Sequence, residues 1–195
     1  MSAGGNAPPL ILWSDFICPF SRLAEAQVVR LAREYGTAVE HRPYELAPPG
    51  TPPLPPEDAR FWDEVVAPAA RELGVPMRRP PLRPRTRKAH ELAALAREAS
   101  REAAIRAALF AAVFEEGEDI GRVDVLVAIA AGAGMDPSQV KVTLDLDTYA
   151  DAVAAAERHA LEMGVTGTPA ARVGETMLTG LHSYGALLDL LRSES

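Results

Sequence analysis

Ser14-Asp15-Phe16-Ile17-Cys18-Pro19-Phe20-Ser21 holds the single cysteine of a 195-residue chain. It lies where an apolar run, Leu10-Ile11-Leu12-Trp13 continuing to Phe16-Ile17, gives way to apolar positions at helical spacing: Leu23, Ala26, Val28, Leu31, Ala32 and Tyr35. The pattern predicts a buried strand over 10–17 and a helix over 18–35, stopped by Gly36, a residue able to take a left-handed conformation at a helix end. Pro19 suits the first helical position, where its missing N–H removes nothing useful. A cysteine at that boundary meets the unsatisfied N–H groups of the first turn, which favour an anion. The sequence therefore predicts a thiol pKa below the ordinary value and a nucleophilic thiolate.

The rest of the chain sets this stretch in a larger pattern. Thr37-Ala38-Val39-Glu40-His41-Arg42-Pro43-Tyr44 reads as a second strand edged by Pro43, with a connection of the right length for a parallel crossover. From Leu46 to Arg87 the composition shifts. Pro48, Pro49, Pro52, Pro53, Pro55 and Pro56 make an extended linker, and a short helix runs from Phe61 through Leu73 until Gly74 and Pro76 stop it. Arg78, Arg79, Arg83, Arg85, Arg87 and Lys88 form a basic run broken by prolines. It reads first as a solvated connection and second as an anion site for a carboxylate-bearing thiol.

Thr86 to Glu116 is an alanine-rich amphipathic helix or helix pair. A helix over 124–131 follows, then a short one after the Asp136-Pro137 start signal and a longer one over about 148–163. Strand signals return with Ala170-Ala171-Arg172-Val173 and Thr176-Met177-Leu178-Thr179, a hairpin turned at Gly174-Glu175. Ser183 caps a last helix over 184–191. This order predicts an α/β fold, a mixed β-sheet flanked by helices and split by an inserted all-α subdomain. The divisions are a disordered tail over 1–9, strand-bearing pieces over 10–46 and 148–193, and a linker with the helical insert over 47–147.

A net charge of −7 argues against general nucleic-acid binding. Hydrophobic residues at 48% and charged ones at 24% are the balance of a chain that buries a core. No apolar run reaches membrane-span length, and the first residues lack the basic start and apolar stretch of a signal peptide, so no membrane association is expected. One cysteine excludes an internal disulfide framework, and the expected compartment is cytoplasmic. His41, His90, His159 and His182 are scattered and, with one cysteine, give no metal-ligand spacing. A glycine-rich phosphate loop and a Gly-x-Ser-x-Gly elbow are both missing.

Asp15-Phe16-Ile17-Cys18-Pro19-Phe20-Ser21, following a strand, resembles the active-site entry of DsbA-type thioredoxin-fold proteins, normally Cys-Pro-x-Cys. Gly164-Val165-Thr166-Gly167-Thr168-Pro169-Ala170 resembles the loop carrying that fold's cis-proline. His41-Arg42-Pro43-Tyr44-Glu45-Leu46 and Lys88-Ala89-His90-Glu91-Leu92 are similar to segments of the FrnE-like branch, which is grouped with 2-hydroxychromene-2-carboxylate isomerases and kappa-class glutathione transferases. The resemblance runs from about Leu10 to Leu191. It implies a thioredoxin fold over 10–46 and 148–193, with Thr168-Pro169 facing Cys18 and offering its backbone edge to a substrate chain or to glutathione. Where the family usually carries a second cysteine, this chain has Ser21. One cysteine cannot store an intrachain disulfide, so exchange stops at a mixed disulfide that an external thiol must resolve. Ser21 shares a helix face with Cys18 and is placed to hydrogen-bond its thiolate.

Three functions fit this reading. The first is a monothiol thiol-disulfide oxidoreductase, with Cys18 as nucleophile, Ser21 beside it, and Pro19, Phe20, Thr168, Pro169 and His90 around the substrate. It needs no permanently bound cofactor and no metal. Glutathione or another small thiol is its co-substrate, its partners are small thiols or peptide and protein disulfides, and a homodimer is one assembly it allows. The second is a glutathione-dependent isomerase or transferase of the 2-hydroxychromene-2-carboxylate isomerase type. In that group the first motif position is commonly serine; here it is Cys18, and the serine comes three residues later. The third is a non-catalytic protein that holds an iron–sulfur cluster through Cys18 and a thiol ligand, since Cys-Pro-Phe-Ser resembles the Cys-Gly-Phe-Ser of monothiol glutaredoxins.

Overall fold

The computed structural model describes residues 8–193, so the tail expected over 1–9 lies, but for its last two residues, outside the described part. At the centre is β1 (Leu10–Ser14), buried on both faces. It pairs in parallel with β2 (Val39–Pro43) and antiparallel with β3 (Ala170–Val173), which pairs antiparallel with β4 (Thr176–Thr179). The sheet is mixed, in the order β2-β1-β3-β4. Pro43 ends β2 at the sheet edge, where its missing N–H breaks no ladder.

The first strand is three residues shorter than the apolar run predicts. Asp15 turns the chain: its carbonyl accepts the Cys18 N–H at 3.1 Å, and its carboxylate accepts the Leu46 N–H at 2.7 Å from the segment after β2. Phe16 and Ile17 are buried because that turn is buried, not because they continue the strand.

α1 (Pro19–Tyr35) follows and ends at Gly36, which has φ +68°. Its Ala24, Val28 and Leu31 pack on Leu10 and Leu12 with Leu187, Leu190 and Leu191 of the last helix, α8 (Tyr184–Ser193). Ser183 caps α8, its Oγ accepting the Ala186 N–H at 3.2 Å. On the other face of the sheet, Trp13 and Ala170 pack with Val165 and with Ala160 of α7 (Ala150–Glu162).

Between β2 and α7 the chain builds a helical lobe. α2 spans 59–72, with a π-helical middle at Trp62–Val66. The region expected as one helix or two is two: α3 (Arg87–Glu98) and α4 (102–116), the latter ending in a π-helical turn over Ala112–Glu116. Ser100, at φ +56°, makes the break. α5 (Val123–Gly132) and α6 (Pro137–Asp145) complete the lobe, and the Asp136 side chain caps α6 by accepting the Ser138 N–H at 2.8 Å. Trp62, Leu92, Ile105, Leu109, Phe110, Phe114, Leu126 and Leu144 form the lobe's core. Phe16, from the cysteine loop, is part of the same core. Burying that one ring contributes about 1.5–3 kcal/mol and anchors the loop to the lobe.

The basic run is neither solvated nor open to an anion over its Arg85, Arg87 and Lys88 portion. Arg85 donates to the Ala47 and Pro48 carbonyls at 2.7 and 2.8 Å and to Thr51, closing the proline-rich linker. Arg87 bonds Glu45, with Glu157 3.7 Å away, and Lys88 bonds the Leu144 carbonyl and Asp147. These cations already have the protein's own acceptors. Among the described residues, no helix is long and apolar enough to cross a membrane.

Candidate active site

Cys18 stands immediately before α1 with extended dihedrals (φ −88°, ψ 116°), and Pro19 opens the helix. Its carbonyl accepts the Arg22 N–H at 3.2 Å, so the first turn closes over it. The Sγ points at the loop between α7 and β3, donating to the Thr168 carbonyl at 3.4 Å. The Thr168-Pro169 bond is cis, and the Pro169 carbonyl accepts the Gly180 N–H at 2.8 Å, which fixes the loop to the end of β4. Two segments 150 residues apart in sequence thus meet at one sulfur.

Cys18 is only 5% exposed. Burial pushes its thiol above the ordinary cysteine range, and the neighbouring Asp15 adds to the rise by charge repulsion. Hydrogen bonding from Ser21, through its hydroxyl and its backbone, and from Thr168 pulls the other way without prevailing. This reverses the thiolate predicted from a cysteine at a helix start. The helix end favours the anion, but removal from water disfavours it more.

Ser21 is fully buried, and its Oγ also accepts the Asp15 N–H at 3.3 Å, bracing the turn that carries the cysteine. Pro19 is buried beside it. Phe20 is half-buried and meets Phe61 of α2 edge to face at 5.9 Å, making an apolar wall beside the cysteine. Cys18, Ser21, Thr168 and Pro169 therefore come together as the motifs indicate.

His90 does not share that mouth. It lies behind the loop, buried on α3, with its ring 4.8 Å from the Phe16 ring and its Nε2 3.6 Å from an Asp15 carboxylate oxygen. The expectation that it lines the substrate space gives way to a place beneath the cysteine, because Phe16 and Asp15 stand between. Asp15 is the buried charged group at the site that motif reading missed. It sits inside the cysteine stretch, where an acidic residue next to an apolar run is a turn signal, and its burial could not be read from sequence.

A second buried cluster lies nearby. Arg106 of α4 forks onto Glu25 of α1 at 2.9 and 2.8 Å and donates to Ser14 Oγ at 2.8 Å. Burial alone would raise the Glu25 carboxyl, but Arg106, by charge and hydrogen bonding, and His41 hold it well below the usual carboxylate range.

The family model described as "DSBA-like thioredoxin domain" matches residues 9–192. The Bacillus subtilis (strain 168) protein YwbO is 30% identical over 176 residues, covering 87% of this chain and 88% of its own. Among solved structures, a probable DsbA oxidoreductase from Streptomyces coelicolor superposes with a TM-score of 0.85 at 24% identity, over 96% of this chain and 89% of that one. A 2-hydroxychromene-2-carboxylate isomerase superposes with a TM-score of 0.74 at 20% identity, over 94% and 93%. At these identities the two structures share the thioredoxin-like fold with this chain.

Proposed function

This chain belongs to the DSBA-like thioredoxin domain family, and from that premise we propose that it is a thiol-disulfide oxidoreductase of monothiol type with Cys18 as its working sulfur. The observation that carries the reading is the Cys18 Sγ held 3.4 Å from the Thr168 carbonyl beside Pro169, in a chain with no other cysteine. The Cys18 thiolate attacks one sulfur of an external disulfide. A Cys18 mixed disulfide forms, and the other half leaves as a thiolate that takes up a proton. A second external thiolate then attacks the mixed disulfide, releasing Cys18 and a new external disulfide, so electrons pass between small thiols with none stored in an intrachain bond. Glutathione or a thiol of similar size is the co-substrate, and the setting is a reducing one such as the cytoplasm. Thr168 supplies the backbone edge that aligns the substrate, Phe20 an apolar flank.

A buried, raised thiol shapes the kinetics of this cycle. Attack at neutral pH is slow because little thiolate is present. Cys18 is also a poor leaving group, so its mixed disulfide is long-lived. The test is mass spectrometry of the protein after exposure to oxidised glutathione at mildly alkaline pH, paired with reductase-coupled turnover. One glutathione adduct on Cys18 and turnover that Cys18→Ser abolishes are expected. A Cys18 that stays unmodified overturns the reading, and turnover that survives Cys18→Ser replaces it with the isomerase or transferase alternative.

A further inference from the structure

Asp15 is fully buried within the loop that carries Cys18, and its ion-pair partner is His90, also buried. Their separation of 3.6 Å is too long for a hydrogen bond, and His90 Nε2 has no hydrogen-bond partner among the described residues. Asp15 is meanwhile held by backbone donors, from Leu46 at 2.7 Å and Ile17 at 3.5 Å. The imidazole can therefore gain or lose a proton without breaking a bond that holds the loop. His90 also lines a cavity of about 230 Å³ with His41, Arg97, Glu102 and Arg106, whereas Asp15 is not among the cavity's lining residues.

The other charged groups around His90 each have a partner of their own. Glu45, from the segment after β2, is bonded by Arg87 of α3, which also faces Glu157 of α7. From α4, Arg106 is paired with Glu25 and Glu102 with Arg97. On α3 itself Lys88 pairs with Glu91 and Asp147. On β2, Arg42 pairs with Glu40 and His41 stands 3.2 Å from Glu25. One proton on His90 therefore acts on two carboxylates, Asp15 at 3.6 Å and Glu45, whose charged form it favours, and of the two it is Asp15 that lies in the cysteine loop and acts on Cys18.

We propose that Asp15 and His90 form a charge switch beneath Cys18: with a proton on His90 the pair is neutral and tolerates the thiolate, and without it Asp15 alone opposes the thiolate and holds Cys18 as the thiol. Both are positioning residues, acting on the sulfur through charge, and the inference rests on Cys18 being the working thiol. It gives the site a reactivity that does not climb steadily with pH. As pH rises, the gain in thiolate is offset over the range in which His90 loses its proton.

Alkylation of Cys18 by iodoacetamide, followed against pH, tests this without any disulfide or glutathione, so its outcome is independent of turnover. Wild type is expected to show a log-rate profile that rises, flattens over an interval, and rises again. His90→Gln gives a single straight rise and a rate about tenfold below wild type on the acid side, the size of effect one neighbouring charge has on a pKa. Asp15→Asn, which keeps an oxygen for the Leu46 N–H, loses the flattening and is about tenfold faster on the alkaline side. Asp15→Asn combined with His90→Gln matches Asp15→Asn alone, because without the Asp15 carboxylate burial keeps the imidazole uncharged and its replacement removes no charge. A straight wild-type profile, or a His90→Gln effect equally large without Asp15, overturns the switch. Should Asp15→Asn fail to fold by circular dichroism, wild type against His90→Gln still decides it by whether the flattening exists and is lost.

Discussion

In the proposed monothiol cycle, Ser21 decides what kind of chemistry Cys18 can complete. Its hydroxyl is buried, braces the Asp15 turn at 3.3 Å and pulls the thiol's pKa down against burial. Ser21→Cys puts a second sulfur on the same helix face and costs little stability, about 1 kcal/mol for the weakened hydrogen bond. After oxidised glutathione, mass spectrometry is expected to find Ser21→Cys free of adduct and lighter by one pair of hydrogens, where wild type carries glutathione. Equal adduct on both proteins would remove Ser21 from the account. Since burial holds the Cys18 thiol up, the wild-type alkylation rate is also expected to keep rising beyond the ordinary thiol midpoint of about 8.5. A plateau below that pH would mean that the helix end outweighs burial. Cys18, Ser21, Thr168 and Pro169 were legible because short motifs carry them. The direction of the thiol's shift was not, because a sequence displays a helix start but not how deeply it is buried. Asp15 and His90, 75 positions apart, meet only through packing.

At the scale of elements, the linker after β2 owes its shape to one guanidinium. Six prolines deny that segment a regular ladder of its own, and Arg85 instead gathers the Ala47, Pro48 and Thr51 carbonyls and the Thr51 hydroxyl. Arg85→Ala leaves these groups to water and frees the loop. Limited proteolysis is expected to cut within 47–57 several-fold faster than in wild type, with Arg60→Ala as a control, because Arg60 is exposed and pairs with Glu64 of its own helix. Matching rates for the two variants would sink the assignment. Composition and spacing revealed the linker, the helix starts at Pro19 and Pro137, and the hairpin. They misjudged the basic run, because whether an arginine is solvated depends on acceptors brought to it by other segments. The strand's early end at Ser14 and the π-helical turns in α2 and α4 have the same origin, since apolar spacing marks burial and not hydrogen-bond register.

At the scale of the whole molecule, the helical lobe and the sheet meet through charge as well as through Phe16. Arg106 leaves α4, crosses 5.2 Å above the Phe16 ring and grips Glu25 of α1 and Ser14 of β1, all of them buried. Such a pair contributes little against a well-packed apolar substitute, but removing one partner strands the other. Arg106→Met is therefore expected to cost about 3–5 kcal/mol near neutral pH by urea denaturation, as Glu25 is left ionised in the core. The pH dependence separates charge from packing. In wild type the Glu25 carboxyl is depressed, so its contribution is complete above the unfolded value of about 4.3 and is lost as pH falls towards the folded one. In Arg106→Met only His41 remains to oppose burial, so the carboxyl rises from its wild-type position and takes up its proton earlier on acidification, which relieves the strain. The stability gap between the two proteins is therefore widest at neutral pH and narrows on acidification. Adding Glu25→Gln to Arg106→Met recovers part of the neutral-pH loss. A gap that stays constant from neutral pH to about pH 3.5 would assign the cost to lost packing around Phe16 and leave the ion pair without a part in joining lobe to sheet.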